Sequence, residues 1–357
     1  MIEREYFLGL SVFPGIGPKR FAILLGELGS AKNIWEASVA DLKNIIGEKL
    51  ALQFDIFKKD FDIGFYTKKL AQQRVTYITI EDKNYPSLLK KTTEPPFILY
   101  IAGDPTILFS PKALAVVGTR KITDYGMHVT KLLTSQLVEQ NFVIVSGLAI
   151  GVDTVAHKTA IDCQGKTIAV LGCGVNICTP AENRGLYDII QKKSGCIVST
   201  FPLDQASFKG LFPARNSTIA GLSLGVLVTE GAQDSGALIT AAKAKEFGRP
   251  VFSVPGPITS DLSKGTNKLL QEGAHAIVDI DGILEVLSIQ KQAKTVAALS
   301  QNLSKEETEI VLLLKNGPLH FDQIVAKMGK DARSLGILLG LMEVKGIINQ
   351  EGKLYRL

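Results

Sequence analysis

The sequence predicts an α/β protein whose largest part is a doubly wound, mostly parallel β-sheet. Seven short runs rich in Val and Ile alternate with helical patterns between residues 113 and 279. These runs are mostly apolar at consecutive positions, as expected for strands that are buried on both faces. Alternation of strands with helices predicts parallel strands that are joined by crossover helices. Smaller modules of different composition precede and follow this region.

The predicted strands and helices have clear positions along the chain. The strands span 113–118, 142–147, 167–172, 196–200, 224–230, 250–254 and 274–279. The helical patterns between them include 126–140, 152–162 and 236–247. This order predicts an extended Rossmann-like sheet, in which ligands bind beyond the carboxyl ends of the strands.

Changes in composition divide the chain into four parts. Residues 1–66 combine short helical patterns with glycine turns and predict a helix-hairpin-helix or SAM-like domain. Residues 67–287 hold the Rossmann-like domain, and residues 288–303 are polar and weakly patterned, as in a linker. Residues 304–357 show three helical patterns and then two short strands joined by a Glu-Gly turn, the pattern of a winged helix.

Composition and charge are those of an ordinary globular protein. A net charge of +5 permits a nucleic-acid partner but does not require one. The N-terminus is charged and no stretch is long enough to span a bilayer, so we expect a cytoplasmic protein without membrane contact. The four cysteines lack zinc-ligand spacing, and only four histidines are present. We therefore expect no metal, no cofactor and no disulfide framework.

Glycine and polar residues follow two of the predicted strands. Gly118 ends the first strand and Thr119 and Arg120 follow it, and Ser146 and Gly147 close the second. Glycine lets backbone amides approach an anion closely, and the planar fork of an arginine suits phosphate oxygens. The G-x-G-x-x-G fingerprint of dinucleotide-binding proteins is absent here. The pattern predicts an anion site at the strand ends without identifying the anion.

The stretch LFPARNSTIAGLS, residues 211–223, adds a second set of polar residues. Its body is small and apolar, as in a helix that packs closely on a sheet, but its first turn carries Arg215 and Asn216 after Pro213. Proline favours the start of a helix, where free N–H groups and the helix dipole favour an anion. Lys209 adds a cation on the approach to this helix. We therefore expect this helix to face the same anion as the strand ends.

Three titratable residues leave an enzymatic function open. Asp153 and His157 lie four positions apart on a predicted helix. We favour a carboxylate that caps the helix or orients a loop, beside a packed histidine, because no Ser or Cys nucleophile accompanies them. Glu230 lies at the end of a predicted strand and would serve as an acid or base in a nucleotide-processing enzyme, such as a nucleoside-monophosphate phosphoribohydrolase. The glycine-rich PGGxGT loop of such enzymes is missing.

The N-terminal segment FPGIGPKRFAILL, residues 13–25, has the G-x-G turn of a helix-hairpin-helix motif. In that motif, backbone amides at Gly15 and Gly17 contact a phosphate, and Lys19 and Arg20 follow on the second helix. A degraded copy, LKNIIGEKLALQF, has Lys49 in place of its second glycine. Sequence-independent DNA binding and a purely structural remnant are equally supported by this pattern.

Several motifs in order resemble one family. AVVGTR, SGLAIGVDTVAH, GCGV, FPARNSTIAGLS, SGALITAAKAKEFGRPVFSVPG and SKGTNKLLQEGA together are similar to the DNA-processing protein A (DprA or Smf) family. The resemblance implies a recombination mediator that binds single-stranded DNA, protects incoming DNA and loads the RecA recombinase during natural transformation. It also implies a homodimer with an extended Rossmann fold and without known catalysis, and single-strand-binding protein as a further partner.

Carried over by position, the resemblance implies a single-strand pocket that coincides with the residues found from the pattern. Those residues are Gly118, Thr119, Arg120, Ser146, Gly147, Lys209, Arg215 and Asn216. Residues 264–271 resemble the part of the family that forms the dimer. The presumptive recognition helix of the winged helix, DARSLGILLGLMEVKG, is mostly apolar. Because a helix that reads duplex DNA presents a polar, basic face, we favour a protein contact for this module.

Overall fold

The structure is a computed structural model that describes residues 2–291, 304–314, 317–344 and 347–356. The chain divides into two compact units between Gln290 and Lys291. From residue 292 to residue 303, the predicted linker lies outside the described residues. Each unit is therefore described by itself.

The first unit begins with a helical segment. Its helices are α1 Glu3–Val12, α2 Pro18–Leu28, α3 Ala31–Glu36, α4 Val39–Ile46, α5 Glu48–Asp60 and α6 Ile63–Gln72. Side chains of Ser30, Ser38 and Asp62 accept hydrogen bonds from N–H groups in the first turns of α3, α4 and α6, which fixes where these helices start. The domain boundary predicted after residue 66 falls inside α6, because the cap at Asp62 starts a helix that continues to Gln72.

A mixed sheet follows the helical segment. Its strands are β1 Val75–Thr79, β2 Ile98–Gly103, β3 Ala113–Val117, β4 Val143–Ser146, β5 Thr167–Leu171, β6 Gly195–Ser199, β7 Val226–Val228, β8 Val251–Ser253 and β9 His275–Ala276. In the described part of the chain these nine strands lie in the order β1-β2-β6-β5-β4-β3-β7-β8-β9. The strands from β3 to β9 pair in parallel, which confirms the seven predicted strands and their direction.

Strands β1 and β2 are antiparallel additions at one edge of the sheet. Neither was predicted as a strand from the sequence. One reason is that β1 is partly exposed and lacks the continuous apolar run that marks the parallel strands. The other is that β2 pairs with β6, which lies almost 100 positions later in the chain, so that no local pattern signals the pairing.

Helices cover both faces of the sheet, and the order of the strands reverses at β3. They are α7 Ser87–Lys90, α8 Asp124–Glu139, α9 Val152–Asp162, α10 Arg184–Ile189, α11 Phe212–Gly221, α12 Gly236–Glu246, α13 Lys264–Gln271 and α14 Ile280–Val286. The chain builds the sheet from β3 towards β6 in one direction, then returns to place β7 on the other side of β3. A crevice opens where the strand order reverses, beyond the carboxyl ends of β3 and its neighbours.

The helical segment and the sheet share one hydrophobic core. The ring of Phe21 in α2 stacks on Phe97, next to β2, with centroids 4.1 Å apart and an interplanar angle of 14°. The hydroxyl of Ser11 in α1 is hydrogen-bonded to that of Tyr100, which is fully buried in β2. Residues from α1 to α6 and from the sheet belong to the same cluster of buried side chains. Unfolding of the helices therefore exposes apolar surface of the sheet.

The second unit is a winged helix, as the sequence predicts. Its elements are α15 Lys305–Leu314, β10 Leu319–His320, α16 Phe321–Met328, α17 Ala332–Val344, β11 Asn349–Glu351 and β12 Leu354–Arg356. The described strands pair in the antiparallel order β10-β12-β11 around the turn at Gly352. Ile310, Leu335 and Leu339 are fully buried and form its core. Neither unit contains, in its described residues, a helix that is both long enough and apolar enough to cross a membrane.

Phe21→Ala tests the shared core. We expect the substitution to lower the free energy of unfolding by about 3–5 kcal/mol, because it leaves a cavity beside Phe97. The loss should appear equally in the fluorescence of Trp35, in α3, and in the hydrogen exchange of the β2 amides. Phe65→Ala is the control, since Phe65 is 68% exposed and its removal should change stability by less than about 0.5 kcal/mol. Fluorescence lost while the β2 amides stay protected would show that the helices fold independently.

Candidate functional site

A cleft of about 670 Å³ lies beyond the carboxyl end of β3, at the switch in strand order. We call it the switch-point cleft. The loop after β3, the start of α11 and the start of α12 form its walls. Six of the predicted site residues line it: Gly118, Thr119, Arg120, Lys209, Arg215 and Asn216. The structure thus brings together two sets of residues that lie almost 100 positions apart in the sequence.

Ser146 and Gly147 support the cleft from beneath and do not line it. The Ser146 hydroxyl is buried and donates to the carbonyl of Val116 on the neighbouring strand. Gly147 lies directly against Arg215, so that a Cβ at this position would be 1.8 Å from a guanidinium nitrogen. Both residues therefore hold other parts of the site in place. This corrects the expectation that they face the ligand.

Arg215 is a buried arginine paired with Asp153. One guanidinium nitrogen lies 3.8 Å from the Asp153 carboxylate, and the arginine is only 8% exposed. The same carboxylate oxygen accepts hydrogen bonds from the N–H groups of Gly147 and Ala149, at 3.1 and 3.3 Å. Burial lowers the pKa of Arg215, and the nearby carboxylate of Asp153 opposes this shift. Asp153 thus orients a loop, one of the two roles that the sequence left open.

Phe212 lines the switch-point cleft and lies close to two arginines. The guanidinium carbons of Arg120 and Arg215 lie 5.5 and 5.7 Å from the centre of its ring, within range of cation–π attraction. The ring also packs on the strand end at Gly172, where a Cβ would approach it to 3.1 Å. Phe212 was not among the site residues predicted from the sequence. The available signal was its position directly before Pro213, at the start of the unusual helix.

Fewer backbone N–H groups are free to bind an anion in the cleft than the sequence suggests. The Thr119 N–H donates to the carbonyl of Glu230, and the Gly147 N–H is held by Asp153. Helix α11 begins at Phe212, whose N–H donates to the Lys209 carbonyl, and Pro213 has no N–H. The glycines at these strand ends are needed for close packing. At Gly118, for example, a Cβ would lie 2.5 Å from Val152.

Side chains therefore provide the charge of the switch-point cleft. Its lining contains four cations, Arg120, Lys121, Lys209 and Arg215, and two carboxylates, Asp153 and Asp234. Arg120, Lys121 and Lys209 are exposed, whereas Arg215 is buried against Asp153. Asn216 donates from its side-chain amide to the carbonyl of Gly236 at 3.2 Å and so ties α11 to α12. The accessible surface of the cleft is positively charged, and Phe212 is the aromatic residue of its described lining.

Glu230, the candidate acid or base of the enzymatic alternative, is fully occupied elsewhere. Its carboxylate accepts the N–H of Thr123 at 2.9 Å and the hydroxyl of Thr123 at 2.6 Å, at the start of α8. Gly126 packs on the same carboxylate. The residue is 2% exposed and is not among those that line the switch-point cleft. Its geometry fits a group that holds the loop after β3 and has no access to a substrate there.

His157 is likewise a packed residue. The Thr167 hydroxyl donates its single proton to the carbonyl of Ile144, so the Nδ1–H of His157 donates to the Thr167 oxygen. Nε2 is buried and has no partner among the described residues. Burial lowers the pKa of the imidazole to about 3. No group of three or more His, Cys, Asp or Glu that fits a metal ion occurs within the described ranges.

The helix-hairpin-helix residues form a separate surface. Gly17 is exposed at the N-terminus of α2, and Lys19 and Arg20 are exposed on its first turn. Arg20 donates to the carbonyl of Gly15 at 3.0 Å. Gly15 itself is packed, since a Cβ there would lie 2.4 Å from Leu50 in the degraded second hairpin. None of these residues is among those that line the switch-point cleft.

The buried His157 predicts how stability depends on pH. The pKa of His157 is lower in the folded protein than the usual value near 6.5. The neutral imidazole therefore adds to the free energy of unfolding in full above pH 6.5. The contribution is lost as the pH falls towards 3, with a slope of up to about 1.4 kcal/mol per pH unit. In urea titrations we expect His157→Gln to be less stable at pH 8 but to lose stability less steeply between pH 6.5 and 4. An imidazolium NMR signal of His157 in the folded protein at pH 5 would contradict this.

Comparison with known proteins agrees with this architecture. The profile of the family described as DNA recombination-mediator protein A matches residues 76–288, and that of the DprA winged helix domain matches residues 294–352. Protein Smf from Synechocystis is 35% identical over 290 residues, which cover 80% of this chain and 73% of Smf.

Two solved structures share the fold. DNA processing protein A from Streptococcus pneumoniae has a TM-score of 0.71 and 32% identity, covering 81% of this chain and 99% of that one. The Helicobacter pylori protein, described with a unique single-stranded DNA binding mode, has a TM-score of 0.55 and 31% identity, covering 60% and 96%. One family profile thus extends from β1 through α14 and a second covers the winged helix, and the chain belongs to the DNA recombination-mediator protein A (DprA/Smf) family.

Proposed function

We propose that this chain is a recombination mediator that binds single-stranded DNA in the switch-point cleft. The observation that carries the proposal is the Phe212 ring close to Arg120 and Arg215, in a cleft that the exposed Lys209 also lines. An aromatic ring within a positively charged groove is the arrangement used by proteins that bind single strands without sequence preference. Family membership and the single-stranded DNA binding of the Helicobacter pylori protein support the same conclusion.

Each residue has a distinct part in this proposal. Arg120 and Lys209 are exposed and contact phosphates, and the Phe212 ring stacks on a base. Arg215 is a positioning residue, because its buried guanidinium is held by Asp153 and fixes one side of the ring. Thr119, Gly118 and Asn216 shape the walls of the cleft. Affinity then depends mainly on phosphate contacts and on stacking, so sequence preference is slight.

Loading of RecA during natural transformation, protection of incoming DNA and contact with single-strand-binding protein are further parts of the proposal. The winged helix is the surface that we assign to protein contact. Its helix α17 exposes Ile337 and Leu341 one turn apart, at 62% and 52% exposure, and the wing exposes Leu354. An exposed apolar face of this kind fits a protein partner better than the phosphates of a duplex.

A homodimer is also part of the proposal. Strand β9 is the last strand of the described sheet, so one of its edges is unpaired. Ile258 and Val278 follow the carboxyl ends of the neighbouring strands β8 and β9 and are 88% and 81% exposed. Exposed apolar side chains next to an open edge strand favour pairing with a second copy. Helix α13, the family's dimer region by resemblance, connects these two strands.

Lys209→Ala tests the DNA site without disturbing the core. We expect weaker binding of a labelled single-stranded oligonucleotide and a salt dependence reduced by about 0.7 in the log–log slope, the value for one phosphate contact on a single strand. Fluorescence anisotropy across a salt series measures both quantities. Lys192→Ala is the control, since Lys192 is exposed but does not line the switch-point cleft. Arg215→Ala is less informative, because it leaves Asp153 buried without its partner.

Two results would contradict this site. Unchanged affinity and salt slope for both Lys209→Ala and Phe212→Ala would place the strand elsewhere on the protein. Failure of the unaltered chain to bind any single-stranded oligonucleotide at low salt would remove the proposed function itself.

Val278→Asp tests the dimer. We expect the unaltered chain to sediment as a dimer and the variant to sediment as a monomer, because a carboxylate at the edge of the sheet opposes burial against a second copy. Ile56→Asp is the control. Ile56 is 61% exposed and lies on α5 in the helical segment, far from β9 in the sequence. A dimer that persists in Val278→Asp would place the interface on another surface.

A further inference from the structure

A second cleft, of about 700 Å³, lies on the other side of α11 from the switch-point cleft. We call it the hairpin cleft, because the first helix-hairpin-helix turn, residues 13–18, forms one of its walls. The segments 93–98 and 200–211 and the exposed side of α11 form the others. No role has been assigned to this cleft above.

The two clefts adjoin at the start of α11. Pro213 lines both of them, and successive residues of the same segment face one or the other. Lys209 and Phe212 line the switch-point cleft, whereas Phe208 and Leu211 line the hairpin cleft. A DNA strand that contacts Lys209 therefore lies next to Phe208, the preceding residue of the protein. The start of α11 is thus the place where an extended polymer would pass from the first cleft to the second.

Phe208 is an exposed aromatic residue at the entrance of the hairpin cleft. It is 54% exposed, although exposure of so large an apolar side chain is unfavourable. Its ring lies against the backbone of Gly210, where a Cβ would approach the ring to 2.9 Å. The absence of a side chain at residue 210 thus lets the ring rest in place. An aromatic ring that is held on one side and exposed elsewhere is suited to stacking.

The lining of the hairpin cleft suits bases better than phosphates. Prolines, Phe97 and Phe201 provide apolar surface, and Gln205 and Ser217 provide hydrogen-bonding groups. The only cation in the described lining, Lys243, is paired with Glu246 at 2.7 Å. Nucleobases have apolar faces and polar edges and carry no charge, so they match this lining. Phosphates would find no free cation among the described residues of this lining, which also include the carboxylate of Glu94.

We propose that the hairpin cleft binds nucleobases of the same single strand whose phosphates are held in the switch-point cleft, with one base stacked on Phe208. This inference rests on the proposed function, since it extends the DNA footprint beyond the first cleft. At its far end the hairpin cleft is lined by Gly17, and Lys19 is exposed next to it on α2. The path therefore joins the two sets of candidate DNA-binding residues, which the switch-point cleft alone leaves separate.

The test compares Phe208→Ala with the unaltered full chain on oligothymidylates of increasing length. Short oligonucleotides that fill only the switch-point cleft should bind both proteins equally. Longer ones should bind the unaltered chain more tightly. Their affinity for Phe208→Ala should be lower by at least about fivefold, as expected for the loss of one stacked base. Phe65→Ala is the matched control, since it removes an exposed ring that lines neither cleft. A scan with one abasic site per oligonucleotide should show a sensitive position that disappears only in Phe208→Ala.

The outcomes separate this inference from the proposed function. If Phe208→Ala binds every length as the unaltered chain does, while Lys209→Ala weakens all lengths, the inference is overturned and the function stands. A hairpin cleft that takes a peptide instead of DNA would give this same result. If the unaltered chain binds no single strand at all, both are overturned. Loss of affinity for the longer oligonucleotides alone in Phe208→Ala supports the inference.

Discussion

The buried ion pair between Arg215 and Asp153 is the interaction on which the switch-point cleft depends. Two charges that are both almost fully buried stabilise a protein only when each has its partner. Removing one partner from such a pair costs about 3–5 kcal/mol, because the other charge then remains buried and uncompensated. The pair links three elements, since Asp153 lies on α9, Arg215 lies on α11, and the carboxylate also holds the loop at Gly147 and Ala149. The position of Phe212, one turn before Arg215, follows from this link.

The glycines at the strand ends serve this arrangement in an unexpected way. In many doubly wound sheets such glycines let backbone amides bind a phosphate. Here Gly147 makes room for the guanidinium of Arg215, and Gly118 makes room for Val152. The neighbouring N–H groups form hydrogen bonds within the protein. An anion is therefore bound mainly by long, exposed side chains. A lysine or arginine on a surface loop follows a flexible polymer more easily than a rigid ring of amides, which suits binding without sequence preference.

The helical segment contributes to the clefts by packing on the sheet. Stacking of Phe21 on Phe97 and the contact of Ser11 with Tyr100 fix the first hairpin beside β2. That position makes residues 13–18 a wall of the hairpin cleft. The same packing explains why α6 leads directly into β1 without a linker. A segment that reads as a separate domain in the sequence is therefore part of one compact unit with the sheet.

Local patterns in the sequence determined the secondary structure and much of the site. Continuous apolar runs identified the seven parallel strands, because a strand buried on both faces needs apolar residues at every position. The same patterns located Arg120, Lys209 and Arg215, since residues after parallel strands and at the start of a helix lie near the ligand edge of the sheet. The antiparallel strands β1 and β2 were not found, because pairing with β6 depends on residues that are distant in the sequence.

Only the tertiary structure decided which side chains are accessible and which are internal. Arg120, Lys209 and Arg215 look alike in the sequence, but Arg215 is buried because Asp153 lies opposite it on another helix. Ser146, Gly147 and Glu230 lie at strand ends as ligand-binding residues do, yet each is hydrogen-bonded to a neighbouring element. Composition and spacing specify what a residue is able to bind. Whether it meets a ligand or another part of the protein depends on packing between segments far apart in the chain.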